Sequence, residues 1–556
     1  MIVRRAVAVL AGSVVLMTAS ISTFAQGTSI PRNWHLLSYD KDSVLGIGAE
    51  KAYKELLKGK KSTPVVVAVI DSGIDTTHED LKSILWTNPK EIPGNNIDDD
   101  GNGYVDDIHG WNFLGGKDGR SVKEASDEAT REYLRYRRIY GNPDSTMDRS
   151  SREYAYWQKL VEKVVKPTSQ YKASYRTMTK LHDNMLKCAN ILTTYLKQDD
   201  FNGPRLDSIE TTDQDVMVAK NFMTRLLQST GEQNVAYLDF KSEFEEYIDD
   251  LKKKAERADE GEVDKRKEIV GDNTDDINDK YYGNNDVMGE FAFHGTHVSG
   301  IIAAARNNNV GIDGVADNVR IMAVKVVPDG DERDKDVALG IRYAVDNGAK
   351  VINMSFGKGF SPNKDWVDDA IKYAESKGVL LIHAAGNDAS DNDVVDNFPS
   401  AHYNDHSRAT NVITVGASGA GRRTSKVANF SNYGKTEVDL FAPGVQIYST
   451  VPGGNKYGSA SGTSMAAPVV TGVAALVLSY YPSLTAQQLK MVLEKSVSPL
   501  TDSMVTKPGT EEKVPFSSLS VTGGIVNAYN ALQLADSMVN GDKKKGKPKL
   551  QPVKKG

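Results

Sequence analysis

Five short stretches of this chain are apolar without alternation: PVVVAVI (64–70), RIMAVKVV (320–327), AKVINMSF (349–356), GVLLIHAA (378–385) and NVITVGA (411–417). Unbroken runs rich in Val and Ile are what a strand needs when both of its faces are buried, whereas a half-exposed strand alternates. Between them, DVALGIRYAVDNGAK and WVDDAIKYAESKG repeat apolar residues at helical spacing, and Gly348 and Gly378 supply the stops. Strand and helix in alternation predict an α/β fold, a doubly wound and mostly parallel sheet with helices on both faces. In such sheets binding groups collect at the carboxyl ends of the strands. Asp71, Ser355 and Asn387 fall at such ends.

A second pattern fills residues 116–270. Met178, Leu181, Met185, Cys188, Leu192 and Tyr195 step by three and four, as do Phe240, Phe244, Tyr247 and Leu251, the spacing of one helical face. Pro167 and Gly231 are expected to interrupt these helices. The block predicts an inserted all-α subdomain, leaving the sheet domain in two parts, 26–115 and 271–540. Arg4 and Arg5 precede an apolar run (6–21) and the small residues STFA, the pattern of a secretory signal peptide over 1–25. Since no other segment approaches that length, no transmembrane anchor is expected in the mature chain. The lysine- and proline-rich end, 541–556, predicts a basic disordered tail.

At 556 residues, 39 % hydrophobic and 26 % charged, the chain can bury a substantial core in more than one domain. Its lone cysteine, Cys188, allows no internal disulfide, so an exported protein of this composition needs another staple, and bound metal is the obvious one. The formal net charge of −6 gives no reason to expect nucleic acid as a partner.

The candidate chemistry lies in three separated segments. VIDSGID carries Asp71 at the end of a buried strand, HGTHVSG opens an apolar helical run at His294, and SGTSMAAP sets Ser464 among small residues just before a helix. A serine hydroxyl becomes a useful nucleophile when an imidazole takes its proton, and a buried carboxylate fixes the ring's tautomer and stabilises the imidazolium. His294 and His297 could instead suggest zinc, but the zinc-protease helix needs four-residue spacing with a glutamate between, and here Gly295 and Thr296 intervene.

Together with VINMSFG and AAGN, these motifs resemble the subtilase family of serine endopeptidases, over residues 64–115 and 280–540. The resemblance implies Asp71, His294 and Ser464 as the catalytic triad, with His294 the general base and His297 an interior residue. It implies Asn387 as an oxyanion-hole donor beside the Ser464 N–H. Ser355, Phe356 and Gly357 would pair with an extended protein or peptide substrate, and Ala384, Ala385 and Gly386 would border the pocket for the residue before the cut. Phe356 and His383 depart from the family's usual residues there, while the family favours large apolar side chains at that subsite. A rival reading keeps the scaffold but makes it a catalytically idle binding module acting through its helical insertion.

Two cation sites are expected, both for structural calcium. Asn96, Asp98, Asp100, Asn102 and Asp107 follow the spacing of an oxygen-lined calcium loop. The resemblance implies a second, with the Asp80 carboxylate, the Asn308 side chain and the carbonyls of Arg306, Val310 and Ile312. The 223 positions between Asp71 and His294 far exceed a loop's needs. The insertion they contain is expected to border the cleft, to assist folding, or to pack outward without a catalytic part. The implied location is outside the cytoplasm: periplasmic, cell-surface or secreted.

Overall fold

The computed structural model describes residues 30–141, 148–230, 233, 235–256, 265–421 and 425–541. The expected signal peptide, the tail beyond Gly541, and Gly231 lie outside the described residues. Chain contacts separate the described residues into two compact units, one within 129–256 and the other of 30–128 with 265–541.

In the larger unit each apolar run becomes a strand. These are β1 (Val65–Asp71), β2 (Gly110–Asn112), β3 (Val319–Lys325), β4 (Val351–Met354), β5 (Leu380–Ala384), β6 (Val412–Ser418) and β7 (Leu440–Pro443). A hairpin of β8 (Ile447–Val451) and β9 (Lys456–Ala460) follows, then β10 (Ser498–Pro499), a second hairpin of β11 (Met504–Thr506) and β12 (Lys513–Pro515), and β13 (Gly524–Ile525). Nine strands form one sheet in the order β10-β13-β7-β6-β5-β4-β1-β3-β2, and every pairing in it is parallel except β10 with β13. The strand order reverses beside β1, where a doubly wound sheet opens its crevice.

The absence of alternation has the expected cause. Val67 and Val69 of β1 join one hydrophobic cluster with Val298, Ile302, Val469 and Val473, while Ala68 and Ile70 join another with Val337, Ile341, Val367 and Ile371. Both faces of the strand are thus buried. The helices that supply these residues are Phe293–Ala303, Asp334–Asp346, Lys364–Ser376 and Thr463–Tyr480. The last is, against the expectation that no segment after residues 6–21 approaches that length, long and apolar enough to cross a membrane by length and composition, yet its most apolar stretch is 89 % buried. It is a core helix lying against the sheet.

The smaller unit contains helices Arg152–Leu196, Gln214–Thr230 and Tyr237–Glu256. Met178, Met185, Leu192, Phe240, Phe244 and Leu251 form its core, with Leu181, Cys188 and Tyr247 packed against it, whereas Tyr195 is exposed. Pro167 does not interrupt: it lies inside a single helix of 45 residues. A proline there forfeits one N–H bond. In the turn that follows, the Thr168 hydroxyl donates to the Val164 carbonyl at 2.5 Å, and the apolar face on the same helix continues into the core. Residues 116–128 and 265–270, expected within the insertion, pair with the sheet unit instead: Ala125 N–H donates to the Asp329 carbonyl, and Arg266 makes a bidentate pair with the buried Asp336 carboxylate at 2.6 and 2.7 Å.

Candidate active site

Asp71 ends β1 and is 1 % exposed. Its Oδ1 accepts the Ser72 N–H and a hydrogen bond from His294 Nδ1, both at 2.8 Å. His294 is the second residue of helix Phe293–Ala303, and Gly295 is what allows that helix to dock against the turn after β1. A Cβ on Gly295 would lie 2.2 Å from the Gly73 carbonyl oxygen. Thr296 adds a tie, its hydroxyl accepting the Asp75 N–H at 2.8 Å.

With Nδ1–H committed to the carboxylate, Nε2 is the basic nitrogen of His294. Burial opposes the charged ring, but the Asp71 charge and hydrogen bond outweigh it, so the His294 pKa is raised above the ordinary histidine value. His297, one turn on, is fully buried and donates from Nε2 to the Gly458 carbonyl at 3.1 Å. Desolvation pushes its pKa down to about 4. It is a neutral interior residue.

Ser464 stands in the first turn of helix Thr463–Tyr480, where backbone N–H groups have no intrahelical acceptor. Its hydroxyl donates to the Ser355 carbonyl at 3.1 Å rather than to His294. The register Ile70↔Met354 sets Asp71 and Ser355 at neighbouring strand ends, so the three groups share one edge of the sheet.

Asn387 follows β5. Its Oδ1 accepts the Thr463 N–H at 2.8 Å and the Thr463 hydroxyl at 3.0 Å, which turns its Nδ2 donors elsewhere. Asn387 Nδ2 and the Ser464 nitrogen lie at the same distance, 3.6 Å, from the point a Cβ on Gly462 would occupy. Two donors without an acceptor among the described residues therefore border one small space that Gly462 leaves open.

Ser355, Phe356 and Gly357 continue β4, and Ala384, Ala385 and Gly386 end and continue β5. His383 donates from Nε2 to the Phe356 carbonyl at 2.8 Å, and desolvation lowers its pKa to about 4. Successive carbonyls of an extended chain point to opposite sides. The Phe356 carbonyl is turned inward to His383, while that of Ser355 meets the Ser464 hydroxyl.

The acidic loop gathers a different set from the one expected. Ligand oxygens of Glu91, Asp98 and Asp100 lie within 4.8 Å of one another, a cluster able to coordinate a metal ion. Asp98 caps the N–H groups of Asn102 and Gly103 at 3.1 and 2.7 Å. Asn96 donates its N–H to Asp106, Asn102 Oδ1 accepts the Tyr104 N–H, and Asp107 is held by Tyr343, Asn88 and Asn102. At the second place the buried Asp80 carboxylate accepts hydrogen bonds from Asn308 Nδ2 at 2.6 Å, Ile312 N–H at 3.0 Å and the Tyr457 hydroxyl at 2.9 Å. Val310 N–H donates to Asn308 Oδ1, and the Arg306 guanidinium reaches Gly314 and Glu50.

The profile described as "Subtilase family" matches residues 62–517. The chain belongs to the subtilase family. It is 39 % identical over 240 residues to "Thermophilic serine proteinase" of Bacillus sp. (strain AK1), covering 43 % of this chain and 52 % of that one. It is 41 % identical over 213 residues to "Subtilisin DY" of Bacillus licheniformis, covering 38 % and 72 %, and 38 % identical over 241 residues to "Thermitase" of Thermoactinomyces vulgaris, covering 43 % and 75 %. The chain spans about half the length of several curated relatives it matches.

Some parts of this subtilase's site carry no signal in the sequence motifs. Asn353 and Thr471 are buried partners beneath Ser355: Thr471 donates to Asn353 Oδ1, and Asn353 Nδ2 to the Ser355 hydroxyl, both at 2.9 Å. Glu91 lies upstream of the twelve-residue template used to read the acidic loop. Tyr457 comes from a hairpin remote in sequence.

Proposed function

We propose that this subtilase is an exported serine endopeptidase acting on proteins and peptides through Asp71, His294 and Ser464. The observation that supports it most directly is the 2.8 Å hydrogen bond from His294 Nδ1 to the buried Asp71 carboxylate, at the sheet edge that also carries Ser464. An extended substrate pairs its backbone with Ser355, Phe356 and Gly357, and its N–H takes the Ser355 carbonyl that the Ser464 hydroxyl occupies in the free protein. The released hydroxyl passes its proton to His294 Nε2 as Oγ attacks the scissile carbonyl. Asn387 Nδ2 and the Ser464 N–H receive the negative charge on the former carbonyl oxygen. His294 then protonates the leaving amine, and water admitted to the acyl-enzyme repeats the sequence to release the acid.

Calcium suits both oxygen-lined places, because hard oxygen donors with net negative charge are its usual ligands. Glu91, Asp98 and Asp100 would hold one ion, with Asn96, Asn102 and Asp107 bracing the loop. Asp80, the Asn308 side chain and the carbonyls of Arg306, Val310 and Ile312 would hold the other. When bound, the ions neutralise clustered carboxylates and tie loops together. The catalytic domain, expected at 26–115 and 271–540, is read as also including residues 116–128 and 265–270 around a helical insertion at 129–262, and kinship with Bacillus subtilisins is consistent with a place outside the cytoplasm.

The test is hydrolysis of casein by the purified chain. Activity that Ser464→Ala abolishes, and that a folded Asn387→Ala retains at about 100- to 1000-fold lower kcat, supports the reading. Wild-type rates in either variant overturn it.

A further inference from the structure

We infer that a second binding site, away from the sheet edge that carries Ser464, captures acidic peptide segments of protein substrates. The inference rests on the endopeptidase reading above and adds a substrate class to it: proteins with a run of glutamate or aspartate remote from the bond that is cut.

The site is a cavity of about 360 Å³, within the range of ligand pockets. Three parts of the larger unit enclose it: the acidic loop with Lys90 and Tyr104, the stretch with Lys280 and Tyr281, and helix Asp334–Asp346, joined by Tyr373 of helix Lys364–Ser376. Its place follows from connectivity. Helix Asp334–Asp346 leads into β4, so the lining residues Asp346 and Asn347 lie toward the end where β4 begins, whereas Asp71 and Ser355 stand where β1 and β4 finish. The seven residues of β1, at about 3.3 Å each, set the two edges of the sheet roughly 20 Å apart.

The charges inside the cavity do not cancel in place. The Asp346 carboxylate accepts the Tyr373 hydroxyl, and Asp100 is engaged by Asn88, by the Asn102 N–H and, at 3.8 Å, by Lys90. Lys280 and Arg342 form no ion pair among the described residues. The Lys280 ammonium lies 5.0 Å from the centre of the Tyr281 ring, and the Arg342 guanidinium 5.1 Å from that of Tyr373. Two cations without counter-ions therefore line one cavity, each held over a tyrosine face, and a guanidinium can take a carboxylate through two parallel N–H bonds.

The walls are fixed before a ligand arrives. A Cβ on Gly103 would fall 2.1 Å from Tyr281 Cε1, so the ring rests directly on the loop backbone. Tyr104 meets Tyr281 and Tyr343 edge-on, with centroids 6.0 and 5.0 Å apart, and the Tyr343 hydroxyl donates to Asp107 at 2.6 Å. Groups already ordered lose little freedom on binding. A lone carboxylate fills a small part of this volume, whereas a peptide with carboxylates on successive residues can fill it and meet both cations. A polypeptide is also what the proposed reaction brings to this unit.

The experiment uses the full-length protein, with casein, an acidic protein, and a short uncharged peptide p-nitroanilide as substrates, and blocked hexaglutamate as the probe. Hexaglutamate is expected to raise the apparent KM for casein and to leave kcat/KM for the p-nitroanilide unchanged, while free glutamate at equal carboxylate concentration does neither. In Lys280→Gln/Arg342→Gln the probe loses its effect, the casein KM rises about 3- to 10-fold, and the p-nitroanilide rate is kept. Arg342→Lys, which keeps the charge, retains part of the response. No inhibition by hexaglutamate, equal inhibition of both substrates, an equal effect of free glutamate, or a folded double variant with unchanged casein KM overturns the inference while leaving a working protease. A folded protein that cleaves neither substrate and leaves Ser464 unreactive toward a fluorophosphonate overturns the endopeptidase reading, and this inference with it.

Discussion

Ser355 and Ser464 exchange hydrogen bonds across the sheet edge: the Ser355 hydroxyl donates to the Ser464 carbonyl at 2.9 Å, and the Ser464 hydroxyl to the Ser355 carbonyl at 3.1 Å. The first bond has a cause in the sequence. Position 468 is proline, which lacks the N–H that would otherwise cap the Ser464 carbonyl four residues back in the helix. Ser355 replaces that donor, and the Thr471–Asn353 pair holds its hydroxyl in place.

Ser355→Ala therefore leaves a helix carbonyl and the Asn353 amide short of partners. The expected loss is about 1–3 kcal/mol of stability, read by urea unfolding. An unchanged midpoint would show that the exchange carries no weight.

Replacing Asp71 with Asn removes the charge that raises the His294 pKa. In the intact protein the acid limb of kcat/KM is expected above the ordinary histidine value of about 6.5. In the variant kcat falls by about 10⁴-fold and the residual limb moves to lower pH. The sign for stability follows from linkage: a raised histidine stabilises the fold fully below its unfolded pKa and loses that contribution as pH rises through the folded one. The variant should thus lose more stability in acid than in alkali. A residual pH profile that superimposes on the wild type contradicts the pairing.

His297 and His383 act in the opposite direction. Both are buried, and desolvation lowers each pKa to about 4. As pH falls from about 6.5 toward 4, the unfolded chain takes up protons that these folded sites refuse. Each site should then remove about 1.4 kcal/mol of stability per pH unit. Unfolding curves at pH 7, 5 and 4 check this, and His383→Phe should flatten part of the slope.

Chelation provides a separate test of the two oxygen-lined places. Removing divalent ions is expected to lower the thermal midpoint, and added calcium to restore it. Glu91→Gln and Asp80→Asn should each reduce that response. A midpoint indifferent to chelator and calcium removes both sites from the account.

The sheet and the meeting of Asp71, His294 and Ser464 at one edge of it were legible in the sequence for physical reasons. Strands buried on both faces must be written as unbroken apolar runs, as in Val65–Asp71, and groups that act together in a small space require small neighbours at fixed offsets, as in HGTH and GTSMAAP. Features decided by tertiary contact were not. Pro167 reads as a break, yet packing carries the helix through it. Glu91 joins Asp98 and Asp100 through loop geometry that no linear template contains.

The account's central claim is that Ser464 is activated by His294. Its most direct measurement is labelling of the folded protein with a fluorophosphonate, followed by peptide mapping of the modified residue. The account predicts one adduct at Ser464 and its loss in His294→Ala, with both proteins folded. A folded wild-type protein that takes up no label, or labelling of Ser464 that persists at full rate without the imidazole, would contradict it.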